Sequence, residues 1–399
     1  MSSVVILGAA RTAIGRYGGT LKSTHPADLG AAAARAAMER AGVTPNDIDE
    51  VLIGHGRQAG SGPNPGRQVA VRAGIPVTAP AQTINQACAS GLQTVALGAQ
   101  AIMLGQSQVV LAGGIESMSR MPYLVDADDA RWGHKMGNFS FVDAMYRDGF
   151  RCSVSGLIMG ETAEILARQY GITKDESDAF ALESQRKAEA AIAAGRLAPE
   201  ITAAPGADAK GKPVELTLDE HPRAGSTMEG LRKLPLTFGM VEGQPGIITA
   251  GSASGITDGG AAVVLASEAE AARRGLTPMA RIVGWATAGV DPRIMGIGPV
   301  AAVPKALKIA GKKLDDIDVI ELNEAFAAQS LAVVKELGID RKKLNPNGGA
   351  IAVGHPLGSS GARLSVQLFG ELKRQGKKYG MVTACVGGGQ GVAGIYELL

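Results

Sequence analysis

Three side chains in this sequence combine a reactive type with a setting that favours reaction: Cys88, His355 and Cys385. Cys88 sits in Thr83-Ile84-Asn85-Gln86-Ala87-Cys88-Ala89-Ser90-Gly91-Leu92, where small neighbours let other backbone approach the sulfur. Leu92, Val95, Ala96, Ala99, Ile102 and Met103 then recur at helical spacing, which puts the thiol near a helix N-terminus. Unpaired N–H groups and the macrodipole there favour a thiolate, the form a nucleophile needs. A lone cysteine among alanines also reads as a small buried hydrophobe, and this stretch alone does not separate the two.

His355 lies in Asn347-Gly348-Gly349-Ala350-Ile351-Ala352-Val353-Gly354-His355-Pro356-Leu357-Gly358, at the entry to a second amphipathic helix over 360–372. Cys385 closes an apolar strand, 380–385, in front of Gly387-Gly388-Gly389. Asn323 ends another, in Asn323-Glu324-Ala325-Phe326-Ala327, where an amide can orient a water or a carbonyl oxygen. His25, His55, His134 and His221 stand beside prolines, in a glycine-rich loop or in a charged stretch, and read as structural.

The elements that must position these groups occur twice. A buried strand at 4–8, a helix at 28–41 stopped by Gly42, an acidic turn into a strand at 51–54, the cysteine helix and a strand at 109–112 form the first set. A strand at 281–284, a helix at 300–310 ended by Gly311, Asp315-Asp316-Ile317-Asp318 leading into 319–322, the helix at 360–372 and the strand at 380–385 form the second. IDEVLIG from Ile48 and IDVIELN from Ile317 match, and the offset is nearly constant over several elements, which argues for an internal duplication. Cys88 and His355 then occupy equivalent helix starts, and a pseudo-twofold would bring the imidazole to the thiol.

Residues 119–246 match neither repeat; with a helical hairpin at 159–194, they read as a lid or binding wall. Strands at 247–251 and 261–265 would return to the first half. The expectation is an α/β protein with mixed, mostly parallel sheets. It divides into an N-terminal half over 1–118 completed by about 247–273, an inserted loop domain over 119–246 and a C-terminal half over 274–399.

A chain of 399 residues buries sizeable cores without staples. Forty basic and 38 acidic side chains nearly cancel, which gives no electrostatic case for nucleic acid or a membrane surface as partner. The three cysteines, Cys88, Cys152 and Cys385, are widely spaced and form no CxxC pair, so neither a disulfide framework nor a structural zinc site is expected. The apolar start lacks a basic region and is too short for a signal peptide, and no run reaches the roughly 18 apolar residues of a membrane span. These features predict a cytoplasmic protein.

The strings NQACASG, TAGSASGITDGGAA, NEAFA, GGAIAVGHPLGSSGAR and CVGGGQG, in that order, resemble the thiolase family of acetyl-CoA acetyltransferases and 3-ketoacyl-CoA thiolases, over essentially the whole chain. The resemblance implies an αβαβα thiolase fold and acyl transfer through an acyl-cysteine, in reversible condensation of acetyl-CoA with an acyl-CoA or in thiolytic cleavage of a 3-ketoacyl-CoA. It makes Cys88 the acylated nucleophile, His355 its base and Cys385 the acid/base at the α-carbon. Asn323, through a water, and His355 would form one oxyanion hole, the N–H groups of Cys88 and Gly387 the other. The loop domain would bind coenzyme A, with Arg223 at the nucleotide phosphates, Ser254 at the pantetheine and Met159 in the substrate site. Coenzyme A is a substrate, no metal or other cofactor is implied, and a homodimer or homotetramer is expected.

One departure concerns substrate range: many short-chain members carry a histidine before the Met-Gly of the insert, where this sequence has Ile158. A more apolar pocket wall, and a broader or longer acyl chain, would follow. Cys152 matches no motif and reads as structural or incidental. A ketoacyl synthase of the same superfamily is the competing enzyme reading, and Cys385 counts against it; a non-catalytic acyl-CoA or lipid carrier is the alternative outside enzymes.

Overall fold

The computed structural model describes residues 3–399. Nine strands form the path of the main sheet, with the two-residue strands Gly15–Arg16 and Ile201–Thr202 pairing off it: β1 (Val4–Thr12), β2 (Glu50–His55), β3 (Ala81–Ile84), β4 (Val109–Ser117), β5 (Thr257–Ser267), β6 (Ala280–Gly289), β7 (Val319–Leu322), β8 (Tyr379–Val386) and β9 (Gln390–Leu398). Their order across the sheet is β7-β8-β9-β6-β1-β5-β4-β2-β3. Parallel pairing joins β2 to β3 and β4, and β7 to β8. β5 and β9 return along the sheet and pair antiparallel with both neighbours.

The order is that of a duplication. β1-β5-β4-β2-β3 in the first half corresponds to β6-β9-β8-β7 in the second, where a parallel bridge between Ile320 and Leu344 stands in place of β3. β1 carries a register shift between Ile6 and Gly8, and β6 carries one between Ile282 and Gly284. Asp49 accepts the N–H groups of Gln108 and Val109 at 2.8 and 2.9 Å; Asp318 does the same for Lys378 and Tyr379 at 3.1 and 2.9 Å. Each aspartate ties the start of one strand to the start of the next, so the acidic turn fixes strand order twice.

Helices α1 (Pro26–Ala41) and α2 (Pro65–Arg72) cover one face of the first half, while α3 (Ser90–Met103) packs on its other face. The hairpin helices α4 (Met159–Tyr170) and α5 (Lys174–Ala193), with α6 (Gly298–Ala310) and α7 (Ala327–Leu337), cover the second half. α8 (Leu357–Gln375) joins α3 in the middle layer. Alternation sets the layers: Val4 and Ile6 face the middle core, Val5 and Leu7 the outer one. α1 and α6 both end on a left-handed glycine, Gly42 and Gly311, as their sequences announce.

Residues 247–251, expected as a strand, form only an isolated bridge, Leu236 to Thr249. The buried Glu164 carboxylate accepts the N–H groups of Ile247 and Ile248, each at 2.8 Å, so a side chain replaces the ladder there. Among the described residues, no helix is long and apolar enough to cross a membrane.

Candidate active site

Small residues bring the two central helices together where their reactive residues lie. A Cβ at Gly91 on α3 would sit 2.8 Å from the Gly358 carbonyl oxygen, and one at Gly361 on α8 2.4 Å from the Leu92 nitrogen. No side chain larger than hydrogen fits at this crossing. The helix starts therefore converge, and Cys88, His355 and Cys385 line one cavity of about 220 Å³.

Cys88 stands one residue after Ala87, whose φ of +45° is a left-handed conformation that a non-glycine residue adopts only under constraint. Ala87 N–H is held by Asn85 Oδ1 at 3.0 Å, and Ser90 Oγ donates to the Ala87 carbonyl at 2.7 Å. Burial pushes the Cys88 thiol up, against the lowering effects of the Arg57 guanidinium and the Gly387 N–H. The expected thiolate at the helix N-terminus is thus not the resting form, because desolvation outweighs the dipole and donors. A base is required.

His355 is built as one. Ser360 Oγ spends its single hydrogen on the Pro356 carbonyl at 2.9 Å, so His355 Nδ1 is the donor in the 2.6 Å contact with Ser360. Nε2 is left as the acceptor, and Asn323 Nδ2 donates to it at 3.3 Å. Burial, with Arg363 nearby, pushes His355 down to about 3, so the ring is neutral at physiological pH and Nε2 carries no proton. Asn323 Oδ1 is buried without a partner, an acceptor free for a further ligand.

Cys385, at the end of β8, is buried, and its thiol is pushed up by desolvation and by Cys88. Met159 from α4 packs over Gly387, where an added Cβ would meet its Cε at 3.0 Å. The cavity divides accordingly. Met118, Met145, Leu357, Phe150 and Ile256 gather about Cys88, whereas Met295, Ala325, Phe326 and Met159 gather about Cys385.

Ser254 and Met159 line this cavity; Arg223 does not. Arg223 lines a separate pocket with His221, Ser226, Thr227 and Leu231. His221 separates the two: its Nδ1 donates to the Ala352 carbonyl at 2.8 Å, and its ring lies against Gly255. Ile158 is absent from the cavity wall, and Met159 occupies that wall instead, so the chain-length expectation drawn from Ile158 loses its footing.

The structure adds residues that sequence reading passed over. The buried Glu116 carboxylate accepts the N–H groups of Gly56 and Arg57, each at 3.1 Å, and of Gly358 at 2.9 Å, with His55 Nε2 at 3.1 Å. It thereby clamps the first half to the start of α8. A charge at the end of the all-apolar β4 was the available signal. Cys152, read as structural or incidental, lines the cavity; against desolvation, the Ser155 side chain and the N–H groups of Ser155, Val154 and Gly388 hold its thiol below the usual range.

Fold and comparisons together define an enzyme of the acyltransferase class on a duplicated α/β scaffold. The sequence matches the thiolase N-terminal domain over residues 4–269 and the thiolase C-terminal domain over 276–398, and the chain belongs to the thiolase family. It is 50% identical over 393 residues to an acetyl-CoA acetyltransferase of Pseudomonas aeruginosa, covering 98% of each chain. With the Escherichia coli acetyl-CoA acetyltransferase it shares 49% over 399 residues, covering both chains fully. The Bacillus anthracis acetyl-CoA acetyltransferase structure superposes with a TM-score of 0.96 at 44% identity, over 100% of this chain and 99% of that one. Human mitochondrial 3-ketoacyl-CoA thiolase in complex with CoA gives 0.94 at 43%, over 100% and 98%.

Proposed function

We propose that this chain catalyses thiolase chemistry, transferring an acyl group between coenzyme A and the α-carbon of acetyl-CoA through an acyl-Cys88 intermediate. In the cleavage direction, His355 Nε2 takes the Cys88 proton and the sulfur adds to the 3-keto carbon. The C2–C3 bond breaks, its electron pair passes to the acetyl-CoA enolate, and the Cys385 thiol protonates C2. Free coenzyme A then gives its thiol proton to the Cys385 thiolate, its sulfur takes the acyl group from Cys88, and the released Cys88 sulfur takes its proton back from His355, giving ping-pong kinetics. Oxyanions form at both stages, and the two candidate holes, Asn323 with His355 and the N–H groups of Cys88 and Gly387, suit them in turn. The observation that carries the reading is the neutral, Nε2-acceptor His355 sharing a cavity with two thiols that rest protonated.

Ser254 and Met159 then flank the pantetheine arm, and the Arg223 pocket on the 119–246 insert takes the nucleotide end. The steps call on no resident cofactor. Three free cysteines support a reducing, cytoplasmic setting. Exposed Tyr123, Trp132, Met136, Phe139 and Phe141 on the insert support a homodimer or homotetramer. The test is turnover: acetoacetyl-CoA with free coenzyme A should yield acetyl-CoA. No turnover with any 3-ketoacyl-CoA, or full activity in Cys88→Ala, would overturn the reading.

A further inference from the structure

The acyl side of the cavity carries a charge that the reaction above does not use. Arg57, half-buried in the loop after β2, lines the wall beside Cys88, Phe150 and Met118. Its backbone N–H is fixed by Glu116, and its Nη2 donates to the Gly149 carbonyl. A Cβ at Gly149 would lie 3.0 Å from Arg57 Nε, so the guanidinium is seated against a backbone that leaves it room. Nε is buried without a partner. Among the described residues no carboxylate lies within ion-pairing distance of this guanidinium; Glu116 spends its oxygens on backbone N–H groups and His55. Arg151, exposed, lines the same cavity and is likewise without an acidic partner among the described residues. Asp148, the one acid lining this cavity among the described residues, accepts from Arg147 Nε at 3.2 Å, so an arginine held in place with no carboxylate at ion-pairing distance is set up for an anionic ligand group, which a guanidinium binds through paired N–H donors.

Resting on the thiolase reading, we propose that Arg57, with Arg151 at the rim, selects 3-ketoacyl-CoA substrates whose acyl chain ends in a carboxylate. After cleavage the acyl group on Cys88 is a short dicarboxylic half-thioester, with its free carboxylate at Arg57. Arg57 lines the same cavity of about 220 Å³ as Cys88 and His355, which suits a short acyl chain. The same charge also acts on the Cys88 sulfur, an effect shared by every substrate, so a ratio of substrates isolates the recognition.

The experiment measures thiolytic kcat/KM for two six-carbon 3-ketoacyl-CoAs, one ending in a carboxylate and one in a methyl group, in the wild-type enzyme, Arg57→Leu and Arg57→Lys. The wild type should favour the carboxylate chain by about tenfold or more, the worth of one charge-assisted hydrogen bond. Arg57→Leu should remove that preference, mainly through KM for the carboxylate chain, and Arg57→Lys should restore part of it. A wild-type enzyme that favours the methyl chain, or a ratio unmoved by Arg57→Leu, would overturn the proposal. The wild-type ratio decides by itself if a variant does not fold. Cleavage of both chains without preference sinks this inference and leaves the thiolase reading standing; cleavage of neither sinks both.

Discussion

Cys88 and Cys385 open into one cavity from opposite halves of the duplication, and their surroundings differ in kind. Cys88 is half-buried on a strained turn before α3, with the Gly387 N–H, a guanidinium and an acceptor imidazole around it. Cys385 is buried at a strand end among Met295, Ala325, Met159 and Phe326, and the chief charge acting on it is Cys88 itself. Donors near the first sulfur stabilise negative charge once the proton leaves. The apolar setting of the second favours the protonated thiol. On the proposed mechanism, one side-chain type placed in two environments serves as nucleophile and as acid.

The comparison breaks most directly at Cys88. Cys88→Ala should lower kcat by about 10⁴-fold or more and abolish the acyl-enzyme, read by steady-state kinetics with acetoacetyl-CoA. Cys385→Ala should cost about 10³-fold in carbon–carbon cleavage, within the range of general acid–base catalysis. It should nonetheless keep acetyl exchange between acetyl-CoA and labelled coenzyme A, which needs no proton at C2. Loss of both reactions together would mean that the two thiols do not divide the work.

Ser360→Ala sharpens the account of the base. Without the Ser360 acceptor, Nδ1–H loses its anchor and the ring its fixed tautomer, so kcat should fall about tenfold to a hundredfold with KM little changed. An unchanged kcat would show that the tautomer is set elsewhere. The smallest effect is thermodynamic. His355 has a folded value near 3 against an ordinary 6.5, so the unfolded chain binds the extra proton between those values. Its contribution to stability is present above pH 6.5 and is lost as pH falls toward 3. Between pH 6.5 and 5 the loss should be about 2 kcal/mol, and His355→Asn should flatten the urea-unfolding difference across that window.

What the sequence made legible followed the duplication. Paired glycine-stopped helices and acidic turns marked two similar halves, and Cys88, His355, Asn323 and Cys385 stood at the ends of elements whose spacing is local. The parts that escaped depend on contacts distant in the chain. Glu116 showed only as a charge near the end of an apolar strand, and its four partners come from the end of β2, the loop after it and the start of α8. Ser360 gained meaning only from the Pro356 carbonyl that commits its hydrogen. Arg57 and Cys152 lay in loops without pattern, and their meeting around Cys88 is made by the insert folding back over the first half. Residues 247–251 misled because β-branched residues beside glycine look the same whether a neighbouring strand or the Glu164 carboxylate satisfies their N–H groups.

The division between the thiols is tested most directly by mass spectrometry of the protein mixed with acetoacetyl-CoA and digested. The peptide bearing Cys88 should carry one acetyl group, released on adding free coenzyme A, and the peptide bearing Cys385 none. Acetyl on Cys385, or turnover with Cys88 never acylated, would contradict the account.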